Sequence, residues 1–500
     1  MTQPVKILSA PGIKRDGTRL EGESYVDGQW CRFQRGRPRK MGGFQAVADE
    51  VTEAARGMSS FSEDGSNFLH VGGATVLGQF IVNSSGSFTG VNGRTPAALV
   101  DSTDNLWQFD VFFDQVNVVN RLIAHAAPNL SNIDSSTETV VWVGDVSATA
   151  ILTSTGRSVS GGVTALGPYL FTFGNDGQIG YSAVNDPAGI YTDAFVTPQK
   201  VIKGLPIRGA GQGPAGLFWS LDSLIRATFV GGAAVWRFDT VTSETSILSS
   251  QGVIEYDGIF YWMGVDRMLM FNGVVRDVPN HMNINYFFDN VNFAQRQKVF
   301  AYKVPRFGEI WWCYPRGDAT ECTHAIVYNV VEQTWYDTQL PDEGRSAGIY
   351  AKVYRKPFMI DNTSTAQGFT IWQHETGTDR IEASDVQPIQ SYFETAEMTM
   401  LAAEESSDSA LRVARIEPDF VQTGNMTVSV KGRVNARAPI VEGEIFTFND
   451  LATTGDEETV KVRDVRRLMS FKFESNVAGG DYEMGECYAH IEPADGRIES

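Results

Sequence analysis

The stretch Gly252–Val275, GVIEYDGIFYWMGVDRMLMFNGVV, decides the fold. It reads as an apolar strand, a polar turn at Asp257-Gly258, a second strand rich in aromatics, and another turn. Phe307–Asp337, FGEIWWCYPRGDATECTHAIVYNVVEQTWYD, repeats the sense. Similar runs start at Gly65, Thr139, Ala165, Gly213 and Pro357. Their spacing of roughly 40–50 residues is the period of a four-stranded propeller blade. One such unit cannot bury both faces of its sheet, whereas stacking around an axis buries them and leaves short edges. The expected fold is all-β: a β-propeller of six or seven blades over 49–380. A large irregular β-sandwich is the competing reading.

Outside this series the texture changes. After residue 380, LMSFKFES alternates with period two, placing Met469, Phe471 and Phe473 on one face and Ser470, Lys472 and Glu474 on the other. Residues 381–500 therefore read as a separate β-sandwich-like domain, and residues 1–48 as an N-terminal arm with a basic strand-turn. Helical signals are few. Asn285–Ala301 is the best, and a short capped turn near Ser406 is the second.

The chain of 500 residues carries a net charge of −19. Residues 381–500 hold 11 Lys and Arg against 23 Asp and Glu, a charge of −12. Such acidity argues against wrapping DNA for affinity, since that needs phosphates neutralised by Lys and Arg. It leaves room for DNA passing an acidic wall that repels it. The opening MTQPVKILSAPGIKRDG lacks an apolar core of signal-peptide length. No apolar run approaches the ~18 residues that span a bilayer, so no membrane insertion is expected. Four scattered cysteines (Cys31, Cys313, Cys322, Cys487) fit a reducing compartment, with a Cys313–Cys322 cross-hairpin bridge the lesser alternative.

Chemical motifs are sparse. The six histidines stand apart, with no His-x-x-x-His and no Cys-x-x-Cys pair, so neither a metal nor another cofactor is expected. Gly211-x-Gly213-x-x-Gly216 matches a dinucleotide fingerprint formally, but Pro214 interrupts it and LFWSL reads as a strand, not the helix a phosphate needs. FSEDGSNF (61–68) is a loose variant of a sialidase turn with the wrong spacing, and no paired catalytic carboxylates are evident. Arg316-Gly317-Asp318 reads as a hairpin tip. Trp311, Trp312 and Trp335 read as packing between blades, with sugar stacking the alternative; alternation puts Trp311 and Trp312 on opposite faces.

One stretch stands against the charge of the whole. DGQWCRFQRGRPRKMGGF (27–44) holds Arg32, Arg35, Arg37, Arg39 and Lys40 against one acid, Asp27. With Tyr25 and Val26 it is similar to the N-terminal strand-turn of virion proteins from short-tailed bacteriophages. The C-terminal VKVRDVRRLMSFKFESNVAGGDYEMGECYAHIEP (460–493), with Arg463, Arg466 and Arg467 ahead of an alternating strand, resembles the ending of the packaged-DNA stabilisation protein, the tail hub or nozzle. The middle follows the same order of strands and a short helix. Met41 after Lys40 departs from that pattern, as does the acidic insert 449–462.

The resemblance implies a non-enzymatic homohexamer in the virion tail. It would lie below the portal and adaptor or tail-tube protein, contact genomic DNA transiently in its channel, and dock tail fibres or tailspikes. Arg32, Arg35, Arg37, Arg39, Lys40, Arg463, Arg466 and Arg467 are then the candidate assembly residues. Internal salt bridging and nucleic-acid contact are the alternatives for the basic stretch. A carbohydrate- or receptor-binding propeller at the tail tip is the alternative for the whole chain.

Overall fold

The computed structural model describes residues 3–494 apart from 64, 83–87, 92–94, 96–105, 116–117, 128–138, 144–148, 154–158, 175–176, 188–190, 210–212, 367, 400–409 and 451–458. The chain is all-β with few short helices. Among the described residues, seven small sheets follow one another along the sequence. The first six are four-stranded meanders, each strand antiparallel to the next: 58–91, 106–153, 162–196, 201–242, 254–277 and 300–339. The seventh begins with Arg345–Ala351, Lys356–Asp361 and Phe369–His374, and its fourth strand is Phe44–Val51 from near the chain's start. Asp379–Glu382 then pairs parallel to Phe44–Val51, and Asp385–Pro388 ends that sheet.

The sheets are held together by their faces. Phe68 of the first sheet packs with Trp107 and Leu122 of the second. Phe112 and Ile123 meet Val163 and Leu170 of the third. Phe171 and Phe173 meet Phe218 and Ile225 of the fourth, and Trp219 meets Trp262 of the fifth, ring centroids 5.7 Å apart. Tyr261 and Met263 meet Trp312, Tyr328 and Trp335 of the sixth. Val327 joins Met359 of the seventh, whose Phe358 and Ile371 share a core with Leu69 and Val71 of the first. First strands of neighbouring sheets approach one another, among them Arg345–Ala351 and Met58–Glu63.

The remaining strands form three further sheets, each built from both chain ends, and a short parallel pair, Ala10–Ile13 with Ser24–Tyr25. Gln3–Ile7 pairs with Cys487–Ala494, which pairs with Ala410–Glu417 and through it with Asp464–Arg466. Asp27–Gln29 lies beside Ser391–Glu394, followed by Leu468–Ser475, Met426–Arg433 and Val441–Phe448. Cys31–Gln34 and Arg37–Lys40 form a hairpin that continues into Asp481–Met484 and Phe420–Thr423. The expected alternation holds where it was sharpest: Met469, Phe471 and Phe473 are buried. Ser470 is buried too, because its hydroxyl donates to the buried Glu394 at 2.7 Å.

Three expectations change. Residues 1–48, read as an N-terminal arm with a basic strand-turn, supply strands to the C-terminal sheets (Gln3–Ile7, Asp27–Gln29, Cys31–Gln34 and Arg37–Lys40), and the boundary at 48 falls inside Phe44–Val51. The boundary at 380 falls inside the seventh sheet, which runs to Pro388. The helical segment is an α-helix at Ile284–Asn290 and a 3-10 turn at Phe293–Lys298, after which Phe300–Val304 is a strand. Near Ser406 the chain lies outside the described residues, and from Ala410 it is a strand. Most of the acidic insert, 451–458, also lies outside them.

Candidate assembly site

The basic stretch folds as a two-residue hairpin. Gln34 pairs with Arg37, so Arg35 and Gly36 alone make the turn, with φ of 53° and 71°. Two successive left-handed residues define the turn that matches strand twist, which explains Gly36. Arg37 and Pro38 already belong to the second strand. The left-handed pair also aims two consecutive N–H groups at one point, a nest for an anion. The chain fills that nest itself: the N–H groups of Arg35 and Gly36 donate to the Glu332 carboxylate at 2.6 and 3.1 Å.

The side chains divide by burial. Arg32 is only 1% exposed. Its Nη1 donates to Glu375 Oε2 at 2.8 Å, its Nε lies 2.9 Å from Glu309 Oε1, and its guanidinium carbon sits 3.8 Å from the centre of the Phe307 ring. Burial works against the Arg32 charge, yet Glu309 and Glu375 hold its pKa above the usual arginine value. Burial also pushes the fully buried Glu309 carboxyl up. Tyr336 Oη and Trp311 Nε1 donate to that carboxylate at 2.7 and 2.9 Å and satisfy both of its oxygens. Lys40 is buried and donates to the Gly480 carbonyl at 2.7 Å; burial lowers its pKa. Arg37 lies 3.3 Å from Glu486, and Arg39 lies 3.9 Å from Glu483 and donates to Gln34 at 3.0 Å. Arg35 pairs with Glu483 and is 79% exposed, the most outward of the five.

These partners lie on both parts of the molecule. Glu309, Glu332 and Glu375 belong to the sixth and seventh sheets and their turns, and Gly480, Glu483 and Glu486 to the C-terminal strands. The hairpin is thus a charged junction within one chain. Arg463, Arg466 and Arg467 are not brought to it. Arg466 ends the strand Asp464–Arg466 of a different sheet and lies 3.5 Å from Asp464, while Arg463, which is exposed, and Arg467 flank that strand.

Sequence reading missed one further member of the junction, Arg15, and a buried acid within the terminal strands, Glu394. Arg15 binds Asp337 and Asp27 at 2.9 and 2.6 Å. Glu394, fully buried, is met by Arg19 at 2.5 Å and by Lys431 at 2.8 Å. Glu309 offered one local signal, a lone carboxylate ahead of the apolar run Ile310–Tyr314.

The other motifs are absorbed by packing. Trp311 and Trp312 are buried on opposite faces, in different cores, and Trp335 is buried beside Trp312. Gly216 lies in a strand, Ala215–Ser220, where a phosphate-binding helix would be needed, while Gly211 is outside the described residues. The Arg316-Gly317-Asp318 tip is docked: Gly317 N–H donates to the Asn290 carbonyl at 2.7 Å, and Arg316 lies 4.7 Å from the Tyr286 ring centre. The four cysteines are free thiols and buried. Among the described residues no cluster of His, Cys, Asp and Glu is arranged for a metal ion, and no helix is long and apolar enough to cross a membrane.

Neither the protein-family models nor the curated proteins contain a match to this chain.

Proposed function

We propose that the chain is a structural subunit of a short-tailed bacteriophage tail, a nozzle or hub. In this reading the seven sheets are the blades of a propeller, and the strands from both termini form a β-sandwich-like domain beside it. Six copies form a ring below the portal and adaptor, continue the DNA channel, retain the packaged genome until ejection, and carry fibres or spikes. The observation that supports the reading is the succession of sheets and the cores they share. Each shares an apolar core with the next, the seventh with the first, and Phe44–Val51 completes the last. This arrangement hides sheet edges and suits a rigid part under load. The charge of −19 suits a wall that lets DNA slide. A sugar-binding reading loses its platforms, since Trp311 and Trp335 are buried.

Electron microscopy of purified virions tests the proposal: the protein is expected as a six-fold ring distal to the portal. A monomer absent from virions sinks it. Reversing charge at Arg35 and Arg37 together is expected to block ring assembly if the hairpin also meets a neighbouring subunit. Intact rings from that variant would confine the hairpin to its own chain.

A further inference from the structure

The core shared by the third and fourth sheets ends at the surface in aromatic rings. Phe171, Phe173 and Phe218 lie inside it, while Tyr169, Tyr181 and Phe229 pack against it and remain partly exposed. Tyr169 stands edge-on to Tyr181, ring centroids 5.6 Å apart and planes at 88°, and lies 6.1 Å from Phe229. Trp236, only 6% exposed, stands edge-on to Tyr169 at 5.6 Å and to Phe229 at 5.5 Å. Two prolines frame the rings. The Phe229 N–H donates to the Pro214 carbonyl at 3.0 Å, and a side chain at Gly167 would come within 3.2 Å of the Pro214 ring. The Asn185 N–H donates to the Pro168 carbonyl at 2.8 Å, which sets the exposed Val184 beside Tyr169. Val230, also exposed, follows Phe229.

Two features set this patch apart. It is free of charge: the stretches GPY (167–169), YSAVN (181–185), GPA (213–215) and TFVGGAAVW (228–236) hold no Asp, Glu, Lys or Arg, although these make up 20% of the chain. At its border Arg237 is already paired with Asp239 at 2.8 Å. It also has donors to spare. Among the described residues, the Tyr169 and Tyr181 hydroxyls have no hydrogen-bond partner, and the Trp236 indole N–H is buried with no acceptor. Exposed apolar surface of this kind marks a docking site. An ionic ligand would find no counter-charge here. A sugar needs polar groups around its hydroxyls, where this patch offers valines and prolines. A proline-rich segment in the polyproline II conformation fits both features. Its rings fill the steps between perpendicular aromatics, and its carbonyls, which have no internal hydrogen bonds, are the acceptors that the tyrosines lack.

We propose that this patch docks a proline-rich segment of another protein, with Tyr169, Tyr181 and Phe229 gripping proline rings and the two tyrosine hydroxyls donating to backbone carbonyls. The site does not depend on the tail reading. Fluorescence anisotropy of a labelled oligoproline peptide, titrated with the full chain at near-physiological salt, is the test. One saturable site per chain is expected. Tyr169→Ala should weaken it about tenfold or more, as loss of a central aromatic anchor does. Tyr181→Phe, which keeps the ring and removes the hydroxyl, should weaken it by about threefold to tenfold, the worth of one hydrogen bond. Phe293→Ala, which removes an exposed ring from the turn Phe293–Lys298, is expected to leave binding unchanged. Thermal melts check that each variant folds, and Tyr181→Phe serves alone if Tyr169→Ala does not. No saturable binding, equal binding of a glycine-serine peptide of the same length, an equal loss in Phe293→Ala, or full binding by the folded tyrosine variants overturns the proposal. So does binding of a glucose oligomer but not of oligoproline.

Discussion

From Met58 to His374 nearly every strand pairs with its neighbour in sequence, whereas among the strands built from the two termini few do. The seven-sheet body closes many short loops, each at small entropic cost, and asks for one distant strand, Phe44–Val51. The terminal unit joins residues near 3 to residues near 491, and residues near 28 to residues near 393. Local ladders make the body modular. Distant ladders make the terminal unit all-or-none, and the basic hairpin bolts one to the other.

Removing residues 1–43 is expected to have the largest effect on that contrast. It strips Cys487–Ala494, Ser391–Glu394 and Asp481–Met484 of strand partners and opens a core holding Phe393, Phe473 and Tyr482. Calorimetry and limited proteolysis should find 391–494 unfolded while the body keeps a cooperative transition. Removal through Val51 should also disrupt the seventh sheet. If the first truncation leaves 391–494 protected, the two regions are less different than their pairings indicate.

Arg32→Ala comes next. It leaves Glu309 buried without its cation, and breaking a buried pair costs about 3–5 kcal/mol. Denaturant titration measures it. Adding Glu309→Gln to Arg32→Ala should recover part of the loss; no recovery would place the effect in lost packing over Phe307 instead.

A pH effect follows, from His324 at the foot of the junction. Burial, then Arg316 and Arg15, lower its pKa from about 6.5 to about 4. Between these values the folded state binds fewer protons than the unfolded chain. His324 therefore contributes stability that is full above about pH 6.5 and is lost as pH falls toward 4. Melting curves across that window should slope more gently in His324→Gln, and an unchanged slope contradicts the assignment.

The smallest effect is expected for Arg35→Ala. Its pair with Glu483 is exposed on the arginine side, so no more than about 1 kcal/mol should be lost. A larger loss in denaturant would mean that the turn carries more of the junction than its exposure suggests.

The same contrast governs what was legible in the sequence. The meanders could be read because strand, turn and partner lie within a few tens of residues, as in Gly252–Val275. The closing role of Phe44–Val51 could not, because its partners are Phe369–His374 and Asp379–Glu382. Arg32 looked like an outward docking residue for the same reason: Glu375 lies 343 residues away and carries no local mark. The turn at Gly36 was legible from its own chemistry, but its length depended on the register of the hairpin. Arg463, Arg466 and Arg467 were grouped with the basic hairpin by resemblance, and neither resemblance nor charge specifies which sheet a strand joins.

The strand Phe44–Val51 has a consequence for synthesis. It emerges long before its partners: His374, the partner of Phe44, follows 330 residues later, and Ile491, the partner of Gln3, 488 residues after Gln3. At ordinary rates of translation that is a wait of roughly 15–100 s. Throughout it the leading segment has no ladder to join, while the first sheets already fold behind it. A nascent chain stalled short of residue 369 should hold several finished meanders with residues 3–51 loose and chaperone-accessible, and strands made much later should be the ones that secure them.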